Sequence, residues 1–217
     1  MKLNLPIVDL LTDSQNILIA GAGGGFDIFG GLPLYFTLQE MGKTVHLASY
    51  SFSEVAMARL LNESAEVLIP DLLVGARGRV KHDNFPYFPE GYLAQWFTEA
   101  RGEDVTVWMF EKTGVRPLLR SYQKLIEHLQ IDAIIWMDGG VDSVMTGDEE
   151  GAGTLLEDTI TLVAGRDLDV PVKILACLGF GAETEVSHHN ALRNMAALAQ
   201  EGACYGSCAL TKHMPVY

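Results

Sequence analysis

Positive charge is what this chain has least of. Its 217 residues carry 15 Lys and Arg against 28 Asp and Glu, a formal net charge of −13. A field of that sign repels phosphodiester backbones and anionic lipid surfaces, so nucleic acid and membrane are excluded as expected partners. The shortage is also local. Between Lys124 and Arg166 there is no Lys or Arg and there are nine acidic residues. Long apolar runs are missing too. The longest, near 17–22, is far too short to cross a bilayer, and MKLNLPIVDLLTDSQN lacks the apolar stretch and cleavage site of a secretory signal. The expectation is a cytoplasmic protein. Cysteine is scarce, and Cys177, Cys204 and Cys208 are an odd number, which suits reduced thiols. Cys204-x3-Cys208 has no second Cys/His pair at ligand spacing, so it is read as two small core thiols rather than half a metal site.

Several catalytic signatures are absent as well. No G-x-S-x-G occurs, which removes the usual support for a Ser/His/Asp nucleophile. The glycine run after the first strand is not a strict G-x-G-x-x-G, because from Gly21 the last position is Phe26. The second strand ends in His46-Leu47-Ala48-Ser49-Tyr50, with no acid for a ribose, so a dinucleotide oxidoreductase is disfavoured. No Lys follows Gly30-Gly31, so this is not a Walker A loop.

What is present is a regular alternation. Residues 16–20, 44–49, 66–69, 105–110, 131–137 and 172–178 are short, non-alternating runs rich in Val, Ile and Leu, the pattern of strands covered on both faces. Helical stripes lie between them: Leu118, Tyr122, Leu125 and Leu129; Leu156, Ile160 and Val163; and Leu192, Met195 and Leu198 or Ala199. Thr154 and Glu157 read as a capping box, and Gly165 as a helix stop. This predicts an α/β fold with a doubly wound, mostly parallel, Rossmann-like sheet of about six strands. One α/β domain over 1–217 is expected, lacking a C-terminal segment, because GACYGSCALTKHMPVY brings no closing element. Residues 74–89 (VGARGRVKHDNFPYFP) have no period and read as a long irregular loop of the kind that carries function.

Three strand ends carry the candidate chemistry. After the first strand, Gly23, Gly24 and Gly25 would let amide groups approach a phosphate, helped by the following helix N-terminus, with Asp27 either capping that helix or meeting the ligand as an acid/base. After the fifth, Asp138-Gly139-Gly140-Val141-Asp142 and Asp148-Glu149-Glu150 offer hard oxygen donors. Asp138, Asp142 and Asp148 are the expected Mg²⁺ ligands, Asp138 also acts catalytically, and Gly139 and Gly140 let the carboxylates converge. A solvated acidic face before a helix is the plainer alternative. DGGVDS is similar to the SGGxDS loop of ATP pyrophosphatases, but Asp138 stands in place of the Ser and the Gly147 to Gly153 stretch interrupts the helix. After the sixth, Glu183 and His188 form a carboxylate and imidazole pair near the same edge, with an exposed first helical turn as the alternative. Arg77 and Arg79, with Lys81 and His82, would close over an anionic ligand as a lid, or remain simply solvated.

The motifs AGAGGGFD, FPEGYLA, DGGVDSVMTGDEEGAGTLLED and LGFGAETEVSH, in that order over 16–211, resemble an uncharacterised prokaryotic domain-of-unknown-function family. The resemblance implies a Rossmann-like α/β fold and no established activity. That family's glycine loop is often GGGGD-like, and Phe26 departs from it. The functional expectation is an enzyme acting on a nucleotide or other small phosphorylated metabolite by Mg²⁺-dependent hydrolysis or group transfer. The alternative is a non-catalytic nucleotide-binding sensor. Self-association as a homo-oligomer stays open.

Overall fold

Runs of Ile, Leu, Val and Ala that are apolar on both sides become strands covered on both faces. The computed structural model of the chain describes residues 5–81, 87–150, 155–180 and 186–212. Its strands are β1 (Asn16–Gly21), β2 (Thr44–Tyr50), β3 (Glu66–Ile69), β4 (Leu73–Ala76), β5 (Val107–Phe110), β6 (Ala133–Asp138) and β7 (Val172–Cys177). The helices are α1 (Pro6–Leu10), α2 (Asp27–Gly30), α3 (Leu32–Glu40), α4 (Val55–Leu61), α5 (Pro89–Trp96), α6 (Val115–Leu129), α7 (Leu155–Arg166) and α8 (His188–Gln200). Within β1 every residue from Ile17 to Gly21 is buried, and its side chains alternate between two cores. Ile17 and Ile19 join Phe36, Phe97, Ile135 and Met137 on one face; Leu18 and Ala20 join Tyr122, Leu125, Ile134 and Trp136 on the other.

One sheet of seven strands runs in the order β3-β4-β5-β2-β1-β6-β7. The five strands from β5 to β7 pair in parallel. β3 pairs antiparallel with β4, and β4 with β5. The fold is therefore α/β with a mixed, mostly parallel sheet, consistent with a Rossmann-like fold but with seven strands rather than six. From β1 the chain winds outward through β2 and then returns on the other side of β1 as β6. The crevice at the C-terminal ends of β1 and β6 is where such sheets bind ligands.

The unexpected strand is β4. Residues 74–76 belong to it and are fully enclosed, packing with Val55, Ala58, Phe88 and Met109. It escaped the sequence reading because it is only four residues long and is interrupted by Gly75, whose missing side chain accommodates Thr106 and Trp108. The irregular stretch is shortened accordingly. Val80 bridges to Asn62, and the Lys81 amide donates to the Leu61 carbonyl at 2.7 Å. Residues 82–86, including His82, lie outside the described residues.

Two helices present a different face from the one their apolar spacing implied. On α6 the expected stripe does face the sheet, with Leu118, Tyr122 and Leu125 buried. On α7, however, Leu156 and Val163 point outward, while Asp158, Thr161, Ala164 and Gly165 point in. Gly165 is no terminator; it lies inside α7, where a methyl group would stand 2.5 Å from the Trp136 ring, so its absence lets the helix settle onto β6. On α8 Leu192 and Leu198 are exposed, and Ala191 and Asn194 are the buried pair. The three thiols are exposed as well, not part of the core. Thr154, the expected cap, lies outside the described residues. No helix among the described residues is long and apolar enough to cross a membrane.

Candidate functional site

The ends of β1 and β6 and the first turn of α7 bring four aspartates together. Asp27, Asp138, Asp142 and Asp158 line one cavity of about 290 Å³ with Gly23, Gly24, Gly25, Gly139, Gly140, Phe52 and Tyr87. Carboxylate oxygens of Asp27, Asp138 and Asp158 lie within 4.8 Å of one another. Asp138, Asp142 and Asp158 are buried, and Asp27 is half-buried. Two unit charges at that separation repel by about 3 kcal/mol at an effective dielectric near 20. Three ionised carboxylates cannot share this space without protons or a cation to compensate them.

The hydrogen bonds divide the four unequally. Asp27 accepts from the Gly23 amide at 2.8 Å and from the Gly139 amide at 3.2 Å, so its carboxylate ties the β1 loop to the β6 loop. Asp138 accepts from the Gly140 amide at 2.8 Å, from the Ser143 amide at 3.3 Å and from the Ser143 hydroxyl. Asp158 differs: its Oδ1 is buried with no hydrogen-bond partner among the described residues. Burial pushes the Asp27 carboxyl up to about 7, with the charges of Asp138 and Asp142 adding to it and the two loop amides opposing. Burial, reinforced by Asp138, Asp142 and Asp27, pushes Asp158 up to about 8. An unpartnered buried carboxylate oxygen facing other carboxylates is costly unless a ligand completes it.

The glycines serve this cluster in a way the sequence did not suggest. A methyl on Gly23 would overlap Asp158 Oδ1, and one on Gly139 would sit 2.6 Å from Asp27 Oδ1. Both glycines make room for carboxylates to approach. The expected phosphate cradle is weakened accordingly, since the Gly23 and Gly139 amides already donate to Asp27. The helix after the loop, α2, is a single turn of four residues and cannot supply the dipole of a full helix. Gly24 and Gly25 have φ of 99° and 61°, which makes the sharp turn possible. Gly23→Ala should fold, because its backbone is ordinary, but should displace Asp158. We expect the thermal shift on adding Mn²⁺ to be lost while the metal-free melting temperature moves by only a few degrees; an unchanged Mn²⁺ shift in scanning fluorimetry would count against the cluster as a cation site.

Other residues singled out in the sequence lie elsewhere. Asp148 is exposed and accepts from the Thr146 hydroxyl at 2.6 Å. Glu149 folds back to accept from the Thr146 and Gly147 amides and, at 2.7 Å, from Asn194 of α8. The Thr146 amide first and the Asn194 amide second hold it far below the usual carboxylate range. These acids make a knot fastening residues 146–149 to α8 and do not line the cavity. His188 opens α8, exposed, with its ring 5.4 Å from that of Phe180. Glu183 and Gly181 lie outside the described residues.

Arg77 forms a two-point ion pair with Asp104, and Arg79 pairs with Glu99 at 3.2 Å, all four side chains well exposed. Their position follows from the direction of β4. Ala76 pairs with Val107, the first residue of β5, so an antiparallel β4 delivers Arg77 to the N-terminal edge of the parallel strands, opposite the cavity. Lys112, which the sequence reading passed over, is a cation at the edge that carries the cavity. It follows β5, places Nζ 4.1 Å from the centre of the Phe52 ring and pairs with Glu157, the neighbour of Asp158, at 2.8 Å.

Glu90 of α5 was passed over too. It is fully buried beneath the Phe52–Tyr87 side of the cavity, and burial raises its pKa despite the nearby hydroxyls of Ser51, Ser49 and Ser53. Ser53 Oγ lies 3.2 Å from Glu90 Oε2 and 3.4 Å from the Tyr87 carbonyl. A hydroxyl has one proton, so both bonds form together when Glu90 is protonated and donates to Ser53.

No curated protein and no solved structure is detectably similar to the chain. A family described as "Protein of unknown function (DUF1152)" matches residues 91–215, from α5 to beyond α8. That span takes in Asp138, Asp142 and Asp158 but not the glycine loop with Asp27. Because the match covers more than half of its 217 residues, the chain belongs to the DUF1152 family.

Proposed function

We propose that the chain is a divalent-cation-dependent enzyme that hydrolyses, or transfers a group from, a small phosphorylated metabolite. The observation that carries this reading is the cluster of half-buried Asp27 with buried Asp138 and Asp158, in which Asp158 Oδ1 has no partner among the described residues and lies close to like charges. An all-oxygen, all-carboxylate set suits Mg²⁺ or Mn²⁺ and disfavours Zn²⁺ or copper. A cation bound there would supply charge neutralisation to a phosphoryl group that the acidic wall alone would repel. Asp27 keeps the two loops in register through its bonds to Gly23 and Gly139. Asp142, on the same wall, would accept a proton from an attacking hydroxyl. Asp148, Arg77, Arg79 and His188 have no part in this reading. The cytoplasm, where Mg²⁺ is abundant and thiols stay reduced, is its proposed setting.

The sensor reading keeps one observation in its favour: among the described residues no imidazole lines the cavity, the usual neutral-pH acid/base. Calorimetric titration of the full chain with Mg²⁺ and Mn²⁺, followed by phosphate-release assays over nucleoside and sugar phosphates, separates the cases. Cation binding with turnover abolished by chelator is expected. Binding of cation and phosphate compound without turnover would establish the sensor instead, and absence of any cation binding would overturn both.

A further inference from the structure

We infer that the ligand of this cavity carries a planar heteroaromatic ring, which rests on Phe26 and Tyr87 at the cavity mouth while its phosphorylated end reaches the aspartates. The substrate class is then nucleoside phosphates rather than sugar phosphates; this rests on the cation-dependent reading above. Aromatic side chains ordinarily bury most of their 150–250 Å². Phe26, between the cavity-lining Gly25 and Asp27, is 63% exposed, and Phe52 in the cavity wall is 45% exposed. Phe26 meets Tyr87 edge to face, with centroids 5.8 Å apart at 73°, and is backed by Phe29 at 5.7 Å. Tyr87 in turn reaches over the glycine loop, its hydroxyl 3.6 Å from where a Gly25 methyl would be.

The rim is held in place from below. Ser53 links the Tyr87 carbonyl to the buried carboxyl of Glu90, and Phe52 lies against Gly24, where any side chain would overlap its ring. One side of the Phe52 ring is already occupied by the Lys112 ammonium. Among the described residues Phe26, with Tyr87, offers the more open surface to a ring, and Lys112 adds a positive charge near the mouth for an anionic ligand. The cavity itself, at about 290 Å³, lies at the small end of the roughly 300–1,000 Å³ usual for ligand pockets, and the open aromatic rim extends it.

The experiment compares ligands that differ only in the ring. With Mn²⁺ saturating, the full chain is titrated calorimetrically with the adenosine, guanosine, cytidine and uridine 5′-monophosphates and with ribose 5-phosphate. At least one nucleotide should bind ten-fold or more tighter than the sugar phosphate. Phe26→Ala, an exposed position whose folding is verified by its melting curve, should weaken that nucleotide about 5- to 100-fold, the usual effect of losing one stacking partner. Ribose 5-phosphate should bind the variant as it binds the parent, and Phe26→Trp should restore the nucleotide preference. Equal affinity for ribose 5-phosphate and all four nucleotides, or a loss in Phe26→Ala shared by both ligand types, overturns the ring inference while leaving the cation site intact. Failure of Mn²⁺ itself to bind overturns the underlying reading instead.

Discussion

Asp158→Asn should make the metal-free protein more stable and blind to divalent cations. The substitution removes the charge from a carboxylate whose Oδ1 finds no partner among the described residues, in a position where burial and three neighbouring aspartates push its pKa up to about 8. The new amide can donate to the carboxylates around it, turning a repulsive contact into hydrogen bonds. At pH 8 we expect a gain of about 2–4 kcal/mol, hence roughly 5–15 °C in melting temperature for a chain of this size. The Mn²⁺-induced shift should vanish at the same time, since ligand-linked stabilisation depends on differential binding to the folded state. Asp138→Asn is the weaker probe, because Asp138 is already satisfied by Gly140 and Ser143 and its replacement sacrifices one of those acceptor sites. Differential scanning calorimetry of Asp158→Asn with and without Mn²⁺ at about 100 × its Kd for the parent reads both effects. A variant less stable than the parent at pH 8, or one still stabilised by Mn²⁺, would remove Asp158 from the site.

Metal-free stability should fall as pH rises from about 5.5 to 8. Asp27 and Asp158 have folded-state pKa values of about 7 and about 8, above the unfolded value near 3.9. Across that window the folded chain binds more protons than the unfolded one, so raising pH favours unfolding. Their stabilising protonated forms are fully present below the unfolded value and lost as pH climbs through the folded values. Asp104 and Glu157 act in the opposite sense: ion-paired to Arg77 and Lys112, their pKa values are lowered, and their contribution disappears as the solution is acidified. The stability maximum should therefore lie near pH 5, with a drop on the order of 5–10 °C by pH 8. Saturating Mn²⁺ should abolish most of that drop, because a bound cation replaces the protons. Cation binding should accordingly release protons, measurable as a buffer-dependent enthalpy. A melting temperature that is flat or rising between pH 5.5 and 8 without metal contradicts the account.

Part of the site was legible because its residues sit at strand ends. The runs 16–20 and 131–137 each pass from apolar residues into glycine and aspartate, and in a parallel sheet such ends share one edge. That reasoning placed Gly23, Gly24, Gly25, Asp27, Asp138, Gly139, Gly140 and Asp142 beside one another, as they are. It failed for Asp158 because α7 was oriented by its apolar stripe. The helix turns Leu156 and Val163 to the outside and commits Asp158 and Thr161 to the interior, where Thr161 donates to the Ala22 carbonyl at 2.7 Å. Hydrophobic periodicity finds the buried face only when that face is apolar. Here the inward end of the helix is an acidic cavity wall, so the rule pointed the wrong way.

By itself the sequence determined the alternation of strands and helices, the parallel centre of the sheet and the acidic edge, because each follows from local patterns of two to four neighbouring residues. Direction and distance were decided only by tertiary structure. Four residues of β4, running antiparallel, carried Arg77 and Arg79 to the edge opposite the aspartates. A knot of backbone amides drew Glu149 toward Asn194, leaving Asp148 exposed on the same loop and apart from the cluster that the acidic run had suggested. Lys112, remote in the chain from Tyr87 and Glu90, meets them around the Phe52 side of the cavity only because β2, β5 and α5 converge there. Local sequence encodes which backbone an element adopts, whereas charge repulsion, burial and close approach act between elements and exist only once the sheet has been assembled.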